Sequence, residues 1–102
     1  MNFGTTMIDE HWPPKWSTAI SNDRRKSLET ELYREVTLGH PLFGHRVSAR
    51  AVGDHPDDIV FQLEDGRYAA VHLTWHQESD PQFPYTVVFN DLASLASTDE
   101  WG

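Results

Sequence analysis

The chain has 102 residues, and its 16 acidic against 8 basic side chains leave a formal net charge of −8. That length makes one domain, and the charge speaks against nucleic acid or an anionic membrane as partner, since both require clustered Lys and Arg. Cysteine is absent, which removes disulfides, thiolate metal ligands and a thiol nucleophile together.

The first residues, Met1-Asn2-Phe3-Gly4, show no basic region followed by an apolar run, so no export signal is expected and a cytoplasmic location is the default. No stretch approaches the ~20 apolar residues of a membrane span. Charge is uneven along the chain. Every Lys and Arg lies before Tyr68, whereas Glu78, Asp80, Asp91, Asp99 and Glu100 follow it, interleaved with aromatics.

Residues 1–20 read as an irregular arm. Pro13-Pro14 blocks helix and central strand alike, and Trp12 and Trp16 flank the pair. Two indoles on one arm are expected to pack back on the core, because each buries a large area. A helix is predicted from Asn22 to about Leu38, with Leu28, Leu32 and Val36 as its apolar stripe and Glu29, Glu31, Arg34 and Glu35 off it. Ser21, Asn22 or Asp23 can cap its start. Gly39 and Pro41 are expected to end it. The run Arg24-Arg25-Lys26 sits in the first turn, where the helix dipole disfavours positive charge.

A shaped loop follows, Gly39 to His45, with Leu42 and Phe43 as its anchors. Three strands are predicted next. Residues 46–52 alternate, with Val47, Ala49 and Ala51 on one side and Arg46, Ser48 and Arg50 on the other. Residues 58–63 place Ile59, Phe61 and Leu63 inward. Asp65-Gly66 marks a tight hairpin with a primed turn. The third strand is predicted to run to Trp75, with Ala69, Val71, Leu73 and Trp75 inward and Tyr68, Ala70, His72, Thr74 and His76 outward. That places Trp75 at the rim of the core, beside Trp12 and Trp16. A polar loop leads to a short strand at 85–89 and a helix over 91–96 capped by Asn90; residues 97–102 form an acidic tail expected to fray. The fold class is α+β: a three- to four-stranded antiparallel sheet, one main N-terminal helix on one face, and a short C-terminal helix.

The segments Gly39-His40-Pro41-Leu42, Asp57-Asp58-Ile59-Val60-Phe61 and Val71-His72-Leu73-Thr74-Trp75, with Pro81, Pro84 and Asp91-Leu92 after them, resemble a group of small bacterial proteins without assigned activity. The resemblance covers roughly residues 28–96. It implies a bacterial origin and a compact single domain, and it carries no chemistry.

The 6 His residues are a high count for this length. On a regular strand His72 and His76 would lie roughly 13 Å apart, too far to share an ion. A metal site would need His40 or His45 to arrive from the loop, and no metal or cofactor is expected. Thr74 and His72 would lie roughly 7 Å apart on one face, too far for a nucleophile–base hydrogen bond. Asp57-Asp58 and Glu64-Asp65 sit at strand boundaries, where acids serve as turn residues. The candidate binding residues are Tyr68, His72, Thr74 and His76 with Arg46 and Arg50, on the second face of a regular sheet.

Three functions follow as expectations. The first is a non-catalytic acidic module that engages or neutralises a protein partner of basic character, by analogy with immunity proteins, antitoxins and inhibitors. The second is a small ligand-binding domain or enzyme using the face around His72, Tyr68 and Arg50. The third is a structural homodimer in which the Trp-rich arm crosses to a second copy.

Overall fold

The structure, a computed structural model, describes residues 12–97. Helix α1 (Asn22–Glu35) begins at Ser21, whose Oγ accepts the Arg24 N–H at 3.1 Å. It ends at Glu35, earlier than the spacing predicts, because Val36 is already extended, with ψ 141. Gly39 does adopt a positive φ of +100, but it serves a separate turn in which the His40 N–H reaches the Thr37 carbonyl at 2.9 Å.

Four strands follow: β1 (Val47–Val52), β2 (Asp58–Leu63), β3 (Tyr68–His72) and β4 (Tyr85–Phe89), and then the short helix α2 (Leu92–Ser97). The strands form one antiparallel sheet in the order β1-β2-β3-β4. The α+β class is therefore as the sequence implies. The cap of α2 is Asp91, whose carboxylate accepts the Ser94 N–H at 2.8 Å, not Asn90.

Both faces of the sheet are covered. On the first, Leu28 and Leu32 of α1 pack on Val47, Ala49, Ile59, Phe61 and Val71, with Leu42 and Leu73 from the loops. On the second, Trp16 from the arm and Leu95 from α2 pack on Ala51, Val60, Tyr68, Ala70 and Phe89. Trp12 meets Tyr68 edge-on, with centroids 5.9 Å apart and rings at 88°. The expected solvated face is thus largely a second small core. Its signature was already present: Ile59-Val60-Phe61 and Ala69-Ala70-Val71 are continuous apolar runs, the pattern of strands buried on both sides.

A β-bulge explains one further difference. Ala49 pairs with Phe61 but Ala51 with Val60, so Arg50 is the extra residue. An inserted residue reverses the alternation beyond it. Ala51 accordingly faces the second core, not the first. The β2–β3 hairpin also departs from a primed turn. Gly66 donates its N–H to the Leu63 carbonyl at 3.0 Å, and the Leu63 N–H reaches the Arg67 carbonyl at 2.8 Å. Only Gly66 has positive φ there, +94, which is an ordinary turn closed by a left-handed glycine bulge.

The two sheet edges differ. Along β1 the Val47 and Ala49 N–H groups donate to Tyr33 Oη at 3.0 Å and Glu29 Oε2 at 2.9 Å, both from α1. Ser17 pairs with Val52 at the far end. Such covers protect an edge from pairing with another chain. At β4, the opposite edge, no described strand lies beyond.

Candidate functional site

Hairpin register builds the densest cluster of chemistry-bearing groups. Asp58 pairs with His72, and His72 with Tyr85, so the three side chains form a row across the second face. This row lies at the end of β3 remote from Tyr68, the residue against which Trp12 packs. Asp58 Oδ1 and His72 Nδ1 lie 2.6 Å apart. A carboxylate only accepts, so the imidazole Nδ1–H is the donor.

The loop between β1 and β2 adds His55. Its ring centroid is 5.3 Å from that of His72. The loop is held by backbone bonds from Gly53 N–H to the Asp58 carbonyl at 2.8 Å and from Asp58 N–H to the His55 carbonyl at 3.0 Å. Nitrogen and oxygen ligand atoms of His55, Asp58 and His72 lie within 4.8 Å of one another. Two imidazoles and a carboxylate form a donor set suited to a divalent transition ion. Beside them, Asp57 Oδ1 accepts the Trp75 indole N–H at 2.8 Å.

A second cluster centres on Glu35, whose side chain is fully buried. Its Oε1 accepts the Thr74 N–H at 2.9 Å and the Thr74 hydroxyl at 3.1 Å, and its Oε2 accepts the Trp75 N–H at 2.7 Å. Burial, reinforced by the adjoining Glu31 carboxyl, pushes the Glu35 acid up to about 7, against the lowering effect of its Thr74 and Trp75 donors. Burial also acts to raise Glu31, but hydrogen bonds from Glu35 and Arg34 outweigh it and hold Glu31 below its ordinary value. The two carboxyls titrate as a pair, with Glu35 the member that keeps its proton to higher pH.

A third feature is a groove of about 370 Å³ lined by His40, Pro41, Pro81, Phe83, Pro84 and Tyr85, among others. His40 forms its buried wall. Its Nδ1 accepts the Leu42 N–H at 3.0 Å and its Nε2–H reaches the Pro84 carbonyl at 2.9 Å. Burial holds the His40 pKa below its ordinary value. The Phe83-Pro84 peptide is cis.

The six sequence-predicted site residues do not share one platform. Tyr68 is buried in the second core. Arg50, on the bulge, donates to Gln62 Oε1 at 2.5 Å, and Arg46 precedes β1 on the exposed surface. Strand β3 ends at His72, so Thr74 turns to Glu35 on the helix side and to Glu78 Oε2 at 2.7 Å. His76 follows it off the sheet. Trp75 has φ 59 and is 45% exposed; it is not in the core, and its indole N–H is held by Asp57. Thr74 joins the Glu35 cluster, and His72 alone joins the cluster with metal-ligand spacing, where its partners are His55 and Asp58, not His40 or His45.

The missed residues had partial signals. A two-residue Asp65-Gly66 turn would pair Asp58 with Leu73; the left-handed Gly66 bulge shifts the register by one and brings His72 opposite Asp58. Glu35 lies three residues from Leu32 and seven from Leu28, on the same helix side. Nothing in the sequence indicates that the 53–58 loop folds back to present His55.

No family model, curated protein or solved structure matches this chain. Among the described residues no helix is long and apolar enough to cross a membrane. The class is therefore set by fold alone: an open four-stranded antiparallel sheet with α1 on one face and α2 with the Trp arm on the other.

Proposed function

We propose that this protein is a non-catalytic acidic module that binds a protein partner of basic character, through the segment from Trp75 to Tyr85. The observation that carries this reading is the exposure of Trp75, Phe83 and Tyr85, at 45%, 45% and 48%. Large aromatics on a surface are the residues that anchor protein interfaces. They lie in a stretch that contains Glu78 and Asp80 and is followed by no Lys or Arg. An acidic rim around apolar anchors speeds encounter with a basic surface and selects its sign. The groove beside Phe83 and Tyr85 offers concave walls of proline for an inserted side chain.

The test compares affinity capture by the intact chain and by the Phe83→Ala/Tyr85→Ala variant. The expected result is a basic protein retained by the first, released as salt rises, and lost by the second. Equal capture by both would overturn the assignment. Light scattering on the intact chain separates this from self-association, the homodimer reading.

A further inference from the structure

We propose that His55, Asp58 and His72 form a binding site for a divalent first-row transition ion, with zinc as its most suitable occupant. This goes beyond partner binding and rests on different residues.

Three observations carry it. The first is donor chemistry. Two imidazoles and one carboxylate make up three protein ligands, the number found where zinc keeps an open position for water or a further ligand. The second is distance. The three ligand atoms lie within 4.8 Å of one another, whereas two ligands on a tetrahedral zinc lie on the order of 3.3 Å apart. His55 and His72 are partly exposed, with side-chain exposures of 57% and 45%, so small ring rotations close that difference. The third is orientation by neighbours. His72 Nδ1 is the nitrogen that faces Asp58, at 2.6 Å, so an ion between them would take the place of the Nδ1 proton. His55 Nδ1 accepts the Asp57 backbone N–H at 3.2 Å, which leaves Nε2 as the nitrogen free to turn to an ion.

The surroundings favour a cation. Residues 53–58 and β3 carry Asp54, Asp57 and Asp58 and no Lys or Arg. The other cluster with metal-ligand spacing, His45, Glu64 and Asp65, is less suited. It offers one imidazole, its Asp65 is held by the Arg67 guanidinium at 2.9 Å, and its Glu64 already accepts the Arg46 N–H at 2.6 Å.

The test is calorimetric titration of the full chain with Zn²⁺, paired with Co²⁺ absorption to report coordination. The wild type is expected to bind one equivalent. His55→Ala and His72→Ala should each weaken binding at least tenfold and abolish the visible Co²⁺ bands, while His45→Ala leaves both unchanged. Circular dichroism confirms that each variant is folded, and His55 lies in an exposed loop where truncation is tolerated. No binding by the wild type, binding that survives both substitutions, or binding lost only with His45→Ala would each overturn the proposal.

Discussion

The Glu35 carboxylate accepts the Trp75 backbone N–H at 2.7 Å, across 40 residues of sequence. Together with the Thr74 bonds it fastens the end of α1 to the chain that leaves β3. A fully buried acid used as a backbone acceptor must hold its pKa against desolvation, and here it rises from 4.5 to about 7. The folded state then keeps a proton that the unfolded chain releases near 4.5. Stability from this group is thus greatest at low pH and falls as pH rises from about 4.5 to about 7, by an amount on the order of 3 kcal/mol. Glu31, held low beside it, acts in the opposite sense and in a lower window: its contribution is present above about 4.5 and is lost as pH falls below that.

Glu35→Gln isolates the effect. The amide imitates the neutral acid but cannot accept at both oxygens, so the variant is expected to be less stable by about 1–3 kcal/mol near pH 5. Its deficit should shrink by pH 8, when the wild type carries a buried charge. His40 works in the opposite sense: its lowered pKa means that its contribution is present above 6.5 and is lost as pH falls. That contribution is common to both proteins and cancels in the difference. Urea denaturation of both at pH 5 and 8 measures the gap, and a constant gap would refute a raised Glu35 pKa.

Trp75 has φ 59, a conformation that costs an L-residue roughly 1–2 kcal/mol. Glycine does not incur that cost. Trp75→Gly should therefore be more stable than Trp75→Ala by about 1 kcal/mol, the reverse of the order expected in regular structure. The alanine variant itself should lose only about 1 kcal/mol, the worth of the indole bond to Asp57. Denaturation midpoints for the two variants decide. Under the proposed function both fold and both lose the partner.

Gly66 closes the β2–β3 hairpin at φ +94, and a Cβ there would meet nothing within 4 Å. Only backbone strain opposes a side chain at this point. Gly66→Val is expected to cost more than ~1 kcal/mol, since a β-branched residue is poorly tolerated at positive φ. Gly66→Asn should recover much of the loss, because Asn accepts the left-handed region. Equal midpoints for Val and Asn would show that strain is not the cause.

At Gly53 the constraint is space. A Cβ would sit 2.9 Å from Trp16 Cζ3 and 3.2 Å from Asp58 Cβ. Gly53→Ala should cost about 1–3 kcal/mol through overpacking. Trp16→Phe removes the contacting ring, so the double variant should be less destabilised than the sum of the two. Thermal melts of the four proteins test this, and strict additivity would place the cost elsewhere.

Local pattern was enough for several elements. Apolar spacing in 28–32 marked α1, the Asp65-Gly66 pair marked the hairpin, and alternation marked β1 to β3, because each signal lies within a few residues of chain. The reach of β3 and the role of its far end were decided by tertiary structure. Thr74 and Trp75 leave the strand where Glu35, distant in sequence, supplies the acceptors for their N–H groups. The covered second face likewise needed Trp16 and α2 to converge on Val60 and Ala70, and the Arg50 bulge needed the register of β1 against β2. The His55–Asp58–His72 cluster combines the two levels. The Asp65-Gly66 pair marks the hairpin that brings the two strands together, but the Gly66 bulge sets the register that puts Asp58 opposite His72, and His55 joins them only through the folded path of a loop. Sequence alone determined the elements whose physics is local. Burial, register beyond a turn and the meeting of distant polar groups were settled by packing, which no local pattern encodes.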